Sequence, residues 1–284
     1  MNKKLPWMAI LLTAIAPMLW GSTYLVTTEF LPEGRPFIAA FLRVFPAGIL
    51  LLIYTREWPK KTIWLPLTTL SILNIGAFQA LLFIAAYRLP GGIAAILGAL
   101  QPLIILFIVW LVDQKAPTRM TLLACIASVI GITLLFITPQ AQWDMIGIMA
   151  ALAGSIFMAS GTYLTRRWKT GLSVFALTGW QLMLGAIFLA PFAYLIDPPL
   201  THITLSEAAA YSYLSLAGAL LAYFLWFKGV ATLPPVAVTS LGLLSPITAV
   251  ILGWVFLGQR IDGIDFLGLL IVLVSVLVVQ WKAN

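Results

Sequence analysis

Arg43 is the residue of this sequence whose position costs most. It lies seven residues inside an apolar run, residues 36–55. At about 1.5 Å of rise per residue that is about 10 Å into a membrane helix. An arginine there costs about 2.5–3.5 kcal/mol by insertion scales. Its guanidinium fork suits a carboxylate of a bound molecule. It could equally snorkel outward or cap a helix carbonyl. Other polar side chains recur at similar depth. Asn74 and Gln79 share one apolar run, Gln101 and Ser245 each precede a proline, and Tyr223 stands 144 residues after Gln79. Trp20, Trp180 and Gln181 add indole and amide groups. Aromatic faces with amides and hydroxyls suit an uncharged, zwitterionic or planar small molecule. The same groups also glue helices together, at about 0.6 kcal/mol each. Ser22, Tyr24, Tyr87, Ser160 and Tyr163 lie closer to helix ends, where aromatic residues form interfacial belts.

Other chemistries are missing. All nine acids fall in loops or at helix ends, and the single histidine, His202, falls in a loop. A proton antiporter with an intramembrane carboxylate is disfavoured, and so is a strongly cationic substrate. No P-loop, metal spacing or nucleophile with a base is present, so no cofactor and no metal are expected. A membrane enzyme or an assembly subunit remains as a remote alternative. Cys125 is alone, which rules out an intrachain disulfide and reads as a small core residue.

The elements that must hold these residues follow from composition. The chain has 284 residues, 62% hydrophobic and 9% charged, with a mean hydropathy of +1.06. A soluble domain is about 25% charged, so this is a polytopic membrane protein. Ten runs are long enough to span, at 7–27, 36–55, 64–87, 92–112, 118–137, 143–165, 173–195, 207–230, 236–257 and 263–281. The net charge of +7 does not point to nucleic acid. With ten alternating helices and a cytoplasmic N-terminus, twelve Lys and Arg face the cytoplasm, Lys3, Lys4 and Lys282 among them. Three, Arg35, Arg88 and Arg260, face outward. That asymmetry puts both termini in the cytoplasm, and the basic loops can touch anionic lipid. Lys3, Lys4 and Ala14-Ile15-Ala16 resemble a signal peptide. The apolar run continues through Val26, which makes it the first spanning helix instead.

The sequence also repeats itself. GALQPLIILFIVWL, residues 98–111, is echoed by GLLSPITAVILGWV, residues 242–255. At the same offset of 144, Phe83 meets Phe227, Leu89-Pro90 meets Leu233-Pro234, and Trp110 meets Trp254. The expected halves are residues 1–142 and 143–284, five helices each. Five is odd, so the second half enters the membrane from the other side. Inverted repeats place a substrate site near the midplane, between the halves. They allow alternating access, because each half can adopt the other's conformation. Pro102 and Pro246 are expected to kink their helices. Each would free the carbonyl four residues back, at Gly98 and Gly242, for Gln101 or Ser245 to satisfy. Pro17 and Pro46 are candidate kinks without counterparts. Ala124 to Gly131 and Gly268 to Ser275 are small-residue faces, read as packing within the chain or between protomers. A monomer or weak homodimer is expected.

These residues together resemble the EamA group of the drug/metabolite transporter superfamily. The resemblance is carried by WGSTY at 20–24, LRVFPAG at 42–48, GALQP with GLLSP, and FLGQRIDGIDFLGLLIVLVSVLVV at 256–279. It implies ten helices in two inverted halves, a central cavity lined by helices 1, 3, 4, 6, 8 and 9, and export of small metabolites or amino acids across a bacterial inner membrane. WGSTYLVTTEF followed by GRPFIAAFLR resembles the branch with pigment and metabolite exporters. The family's usual Glu after helices 9 and 4 is replaced here by Gln259 and Lys115. Small multidrug relatives couple protons through a Glu in their first helix, and Thr13 to Tyr24 holds no acid. A passive facilitator is therefore an alternative, although loop acids such as Glu29 or Asp262 could carry protons.

Overall fold

The computed structural model describes residues 6–89, 97–136, 144–258 and 263–283. Lys3, Lys4, Pro90, Gln259, Arg260, Asp262 and the side chain of Tyr24 lie outside them. The described residues are helical and hold no strand. Eight helices are long and apolar enough to cross a membrane, and two shorter apolar ones accompany them.

In chain order α1 is Trp7–Phe30, α2 Pro36–Thr55, and α3 runs from Trp64 to Arg88. Then follow α4 Gln101–Asp113, α5 Arg119–Phe136, α6 Met145–Arg167 and α7 Val174–Leu195. α8 runs from Leu205 to Thr232, α9 comprises Pro235–Leu241 and Leu244–Leu257, and α10 is Gly263–Ala283. These positions match the ten apolar runs. Because every face of a membrane helix is apolar, length rather than periodicity marks each one.

Two irregularities recur at the repeat offset. α3 widens into a π turn at Ile72–Gly76, and α8 does so at Leu216–Leu221, 144 residues on. Such turns often mark functional sites. The second irregularity corrects an expectation. Pro246 does not kink a continuous helix, since α9 stops at Leu241 and restarts at Leu244. Pro246 and Pro102 both sit in the first turn of the helix that follows. A missing N–H costs nothing there, because that donor has no intrahelical partner. Nor is the Gly242 carbonyl free, since it accepts the backbone N–H of Ser245 at 3.0 Å. Pro17 and Pro46 stay inside unbroken helices.

Glycines set the closest packing. A Cβ on Gly131 would stand 2.8 Å from the Gly268 oxygen, and one on Gly268 would stand 2.6 Å from the Gly131 oxygen. The small faces of α5 and α10 are thus spent on each other inside the chain. α2 and α7 pair in the same manner, with Gly48 against the Met183 backbone and Gly179 against Leu51.

Loop polar groups tie helix ends together. Asp197, after α7, accepts the Ile38 N–H at 2.7 Å and so caps α2. Burial pushes its carboxyl above the usual range, against the backbone N–H bonds of Ile38 and Phe37 and the Arg35 charge. A raised carboxyl means that the charge opposes folding, so its contribution to stability falls as pH rises through the folded pKa. Asp197→Asn keeps an acceptor without the charge. It should melt at or above the wild-type temperature at neutral pH, while Asp197→Ala, which orphans the N–H, should melt below it. Thermal unfolding in detergent would read both. Asp144 caps α6 through the Gly147 N–H, which holds its carboxyl below the usual range, and pairs with Arg88 at 3.2 Å.

Candidate functional site

A cavity of about 440 Å³ lies among α1, α2, α3, α6, α8, α9 and the start of α4. At one end it is lined by Thr27, Leu31 and Glu33, by Tyr87 where α3 finishes, and by Ala150 and Ala151 where α6 begins. Glu33 is exposed, so this end is the mouth. At the deep end it is lined by Trp20, Arg43, Gln79, Tyr223, Trp226 and Thr239.

The deep wall is built on the π turn of α8. The Gly218 carbonyl, inside that turn, accepts Trp20 Nε1 at 3.0 Å and Arg43 Nη2 at 3.1 Å. Arg43 is fully buried, so it does not snorkel. It caps a carbonyl and lines the cavity as well. The Trp20 ring packs 5.1 Å from Tyr223 and 5.0 Å from Trp226. Gln79 Nε2 donates to the Tyr223 hydroxyl at 2.5 Å, so two residues 144 apart in sequence meet in space. That contact is what a pseudo-twofold axis through the cavity would produce. Several buried polar atoms of the wall have no hydrogen-bond partner among the described residues: Trp226 Nε1, Gln79 Oε1, Thr23 Oγ1 and Thr27 Oγ1.

Of the residues singled out from sequence, Trp20, Arg43, Gln79, Gln101, Tyr223 and Ser245 come together on this cavity. Gly98, Gly242 and Pro246 line it too, before α4 begins and where α9 restarts, while Pro102 is buried beside it. Asn74 and Trp180 are not brought there. Asn74 sits in the π turn of α3 and donates to Gln181 Oε1 at 2.7 Å and Thr165 Oγ1 at 2.9 Å. Trp180 donates to the Glu57 carbonyl at 2.9 Å and packs on Trp58 and Trp64. It anchors the α2–α3 connection to α7.

Sequence reasoning missed Trp226, although it lies three residues after Tyr223 and so on the same helix face. It also missed a polar cluster at the other end of the molecule. There Asp113, ending α4, accepts the Tyr163 hydroxyl at 2.6 Å and pairs with Arg167 at 2.5 Å. Arg166 donates to the carbonyls of Val230 and Leu233 at the end of α8. A second, more open cavity of about 640 Å³ lies on this side, lined by Asp113, Lys115, Arg166, Arg167 and Lys282 among others. Apolar side chains, Ile105, Leu106, Ala159 and Val236, form a buried cluster just inside it.

The EamA-like transporter family profile matches residues 7–137 and again residues 145–281. The chain belongs to the EamA-like transporter family. It is a multi-pass membrane transporter, and the two matches fall on successive sets of five helices. Protein PecM of Dickeya dadantii (strain 3937) is 40% identical over 267 residues, which cover 93% of this chain and 90% of that protein. YwfM of Bacillus subtilis (strain 168), an uncharacterized transporter, is 26% identical, covering 95% and 93%. YedA of Escherichia coli (strain K12), an uncharacterized inner membrane transporter, is 27% identical, covering 92% and 87%. One crystal structure shares the fold with a TM-score of 0.82 at 17% identity, covering 97% of each chain. Within this EamA-like frame the position after α4 holds Lys115, on the second cavity.

Proposed function

We propose that this EamA-like chain is a secondary exporter of small metabolites or amino acids in a bacterial inner membrane. It works by alternating access of residues 1–142 against residues 143–284. The observation that carries the reading is the cavity itself, with its mouth at Glu33, while the Asp113–Tyr163–Arg167 contact joins the opposite ends of α4 and α6 and serves as the seal in this reading. The closed end carries Arg56, Lys61, Lys115, Arg119, Arg167 and Lys282. By the positive-inside rule it faces the cytoplasm, with both termini, and the mouth faces outward. The inner-membrane setting is supported by the name of the relative YedA.

The repeat supplies the return stroke. Gly218 in the α8 π turn corresponds to Asn74 in the α3 π turn, 144 residues earlier. Arg43 of α2 contacts the first, and Gln181 of α7 contacts the second. When the halves exchange conformations, the Asn74 and Gln181 side should open to the cytoplasm and the Gly218 side should close. Trp20, Arg43, Gln79, Gln101, Tyr223 and Ser245 bind substrate in this scheme. Gly98 and Pro102 at the start of α4, with Gly242 and Pro246 at the restart of α9, are the points about which the halves flex.

A passive facilitator is the second reading. It is favoured by the position of Glu33, the acid that lines the cavity, at the mouth rather than deep. Inverted vesicles with an imposed pH gradient separate the two. Under proton-coupled export, a labelled pool of amino acids or aromatic metabolites accumulates and the gradient collapses. Under facilitation, label enters only to equilibrium and the gradient stays. Vesicles that admit no pool faster than empty controls would count against both.

A further inference from the structure

The second cavity gathers more positive charge than the chain balances. Its described lining holds Lys115, Arg166, Arg167 and Lys282 against one acid, Asp113. Asp113 is already engaged, by Arg167 at 2.5 Å and by the Tyr163 hydroxyl at 2.6 Å. Lys115, Arg166 and Lys282 make no ion pair among the described residues. Arg166 donates to the Val230 and Leu233 carbonyls, which are neutral. Lys282 Nζ lies 4.1 Å from the centre of the Trp281 ring, which is neutral too. Like charges held around one opening repel each other and attract an anion.

Fixed contacts bring these cations to one place. The Asp113–Arg167 pair ties α6 to α4. The Arg166 bonds tie α6 to the chain just before Pro234. Gln280 Nε2 ties the end of α10 to α9, donating to the Ala237 carbonyl at 2.7 Å and to Ser240 Oγ at 3.0 Å. The rest of the lining is apolar, with Leu106, Val109, Pro234 and Val236. A free inorganic anion gains nothing from such a wall, whereas an amphiphile does. An apolar path also leads to the site. Val274, Leu277 and Trp281 are exposed along α10, at the spacing of one helix face, and that face ends beside Lys282. In a membrane chain such a face meets acyl chains, and tryptophan sits at headgroup level.

We infer that the second cavity binds the headgroup of an anionic phospholipid. The phosphodiester sits among Lys115, Arg166 and Lys282, where charge-assisted hydrogen bonds hold it, and the acyl chains run along the exposed face of α10. Basic pockets between membrane helices take headgroups in this way. Lys115 belongs to the first five helices, and Arg166 and Lys282 belong to the second five. A bound headgroup therefore spans both halves beside the Asp113–Arg167 pair.

Melting of the purified full chain in a nonionic detergent tests this, with rising dioleoylphosphatidylglycerol, dioleoylphosphatidylcholine or inorganic phosphate. Phosphatidylglycerol at a hundredfold excess over its dissociation constant should raise the midpoint by about 5 °C. Phosphatidylcholine and inorganic phosphate should leave it in place. Lys115→Gln combined with Lys282→Gln should need about tenfold or more phosphatidylglycerol for the same rise. Both lysines are exposed, so the variant should melt near the wild type without lipid. If it does not fold, the two single variants decide. The control combines Arg56→Gln with Lys61→Gln, exposed cations at the same end but outside the cavity, and should respond like the wild type. No rise, an equal rise with phosphatidylcholine or inorganic phosphate, or an undiminished response of the lysine variant would overturn the inference. The consequence for transport rests on the alternating-access reading and is separable. If the halves part at this end, phosphatidylglycerol should slow transport in vesicles, and the lysine variant should escape the slowing. Lipid binding as expected with no slowing would count against alternating access at this end and leave the lipid site standing.

Discussion

Asp113→Cys combined with Arg167→Cys, bridged by a short bifunctional thiol reagent, should stop transport, with a fall of about tenfold or more that a reductant reverses. In the structure Asp113 and Arg167 touch at 2.5 Å, from the ends of α4 and α6. In the proposed cycle a molecule leaving the cytoplasm passes between them. The native contact is partly exposed, with side chains 27% and 52% accessible. Solvent screening therefore keeps it weak. That weakness suits a gate that opens in every cycle, and it means that charge removal alone should be mild. Covalent closure removes the inward-open state altogether, which is why its effect should be so much larger. The one native cysteine, Cys125, is buried and will not compete for reagent. The control joins two sites on one helix. A crosslinked protein that transports at the uncrosslinked rate would show that the substrate passes elsewhere, and alternating access through this seal would be lost.

How far the sequence carries the fold is clear from particular residues. Each of the ten apolar runs holds a helix among the described residues, eight of them long and apolar enough to cross a membrane and two shorter. The 144-residue offset located the Gln79 and Tyr223 pair before any coordinates, because paired copies put equivalent residues at equivalent depth. Depth is legible in a membrane chain and azimuth is not. Asn74 and Gln79 share a helix and similar depth, yet one packs on Gln181 and the other lines the cavity. A soluble helix would betray its buried face by an apolar stripe. A lipid-facing helix is apolar all round and hides it. Trp180 was misjudged for the same reason. The π turns were illegible too, as ILNIG and LAGALL read like any helical segment. The prolines marked the right places but not the right geometry. Pro246 can end one helix and begin another as readily as it can bend a single one, and only tertiary packing chooses.

Two glycines, Gly21 and Gly98, should respond in opposite ways, and the contrast tests where α1 is held. Gly21, in the WGSTY segment, faces α9 at its restart. A Cβ there would stand 2.4 Å from the Ser245 carbonyl oxygen, 2.6 Å from Thr248 Cβ and 3.2 Å from the Ala249 nitrogen. Two of those three atoms are backbone and cannot swing aside. Alanine in place of a helical glycine gains about 1 kcal/mol from propensity. Overpacking costs about 1–3 kcal/mol and more where the neighbour is rigid. At Gly21 the clash wins, so Gly21→Ala should lower the melting temperature, and Gly21→Val should cost about 3 kcal/mol or more and abolish transport. Gly98 lines the same cavity, and a Cβ there would meet nothing within 4 Å. Gly98→Ala should therefore melt at or above the wild type while intruding on the cavity. Thermal unfolding of the three purified variants reads the difference. If Gly21→Val melts like the wild type, α1 and α9 can part at no cost, and the α9 restart is not pinned by α1. Because α1 and α9 belong to different halves, their contact at Gly21 would then not serve as a pivot about which the halves rock.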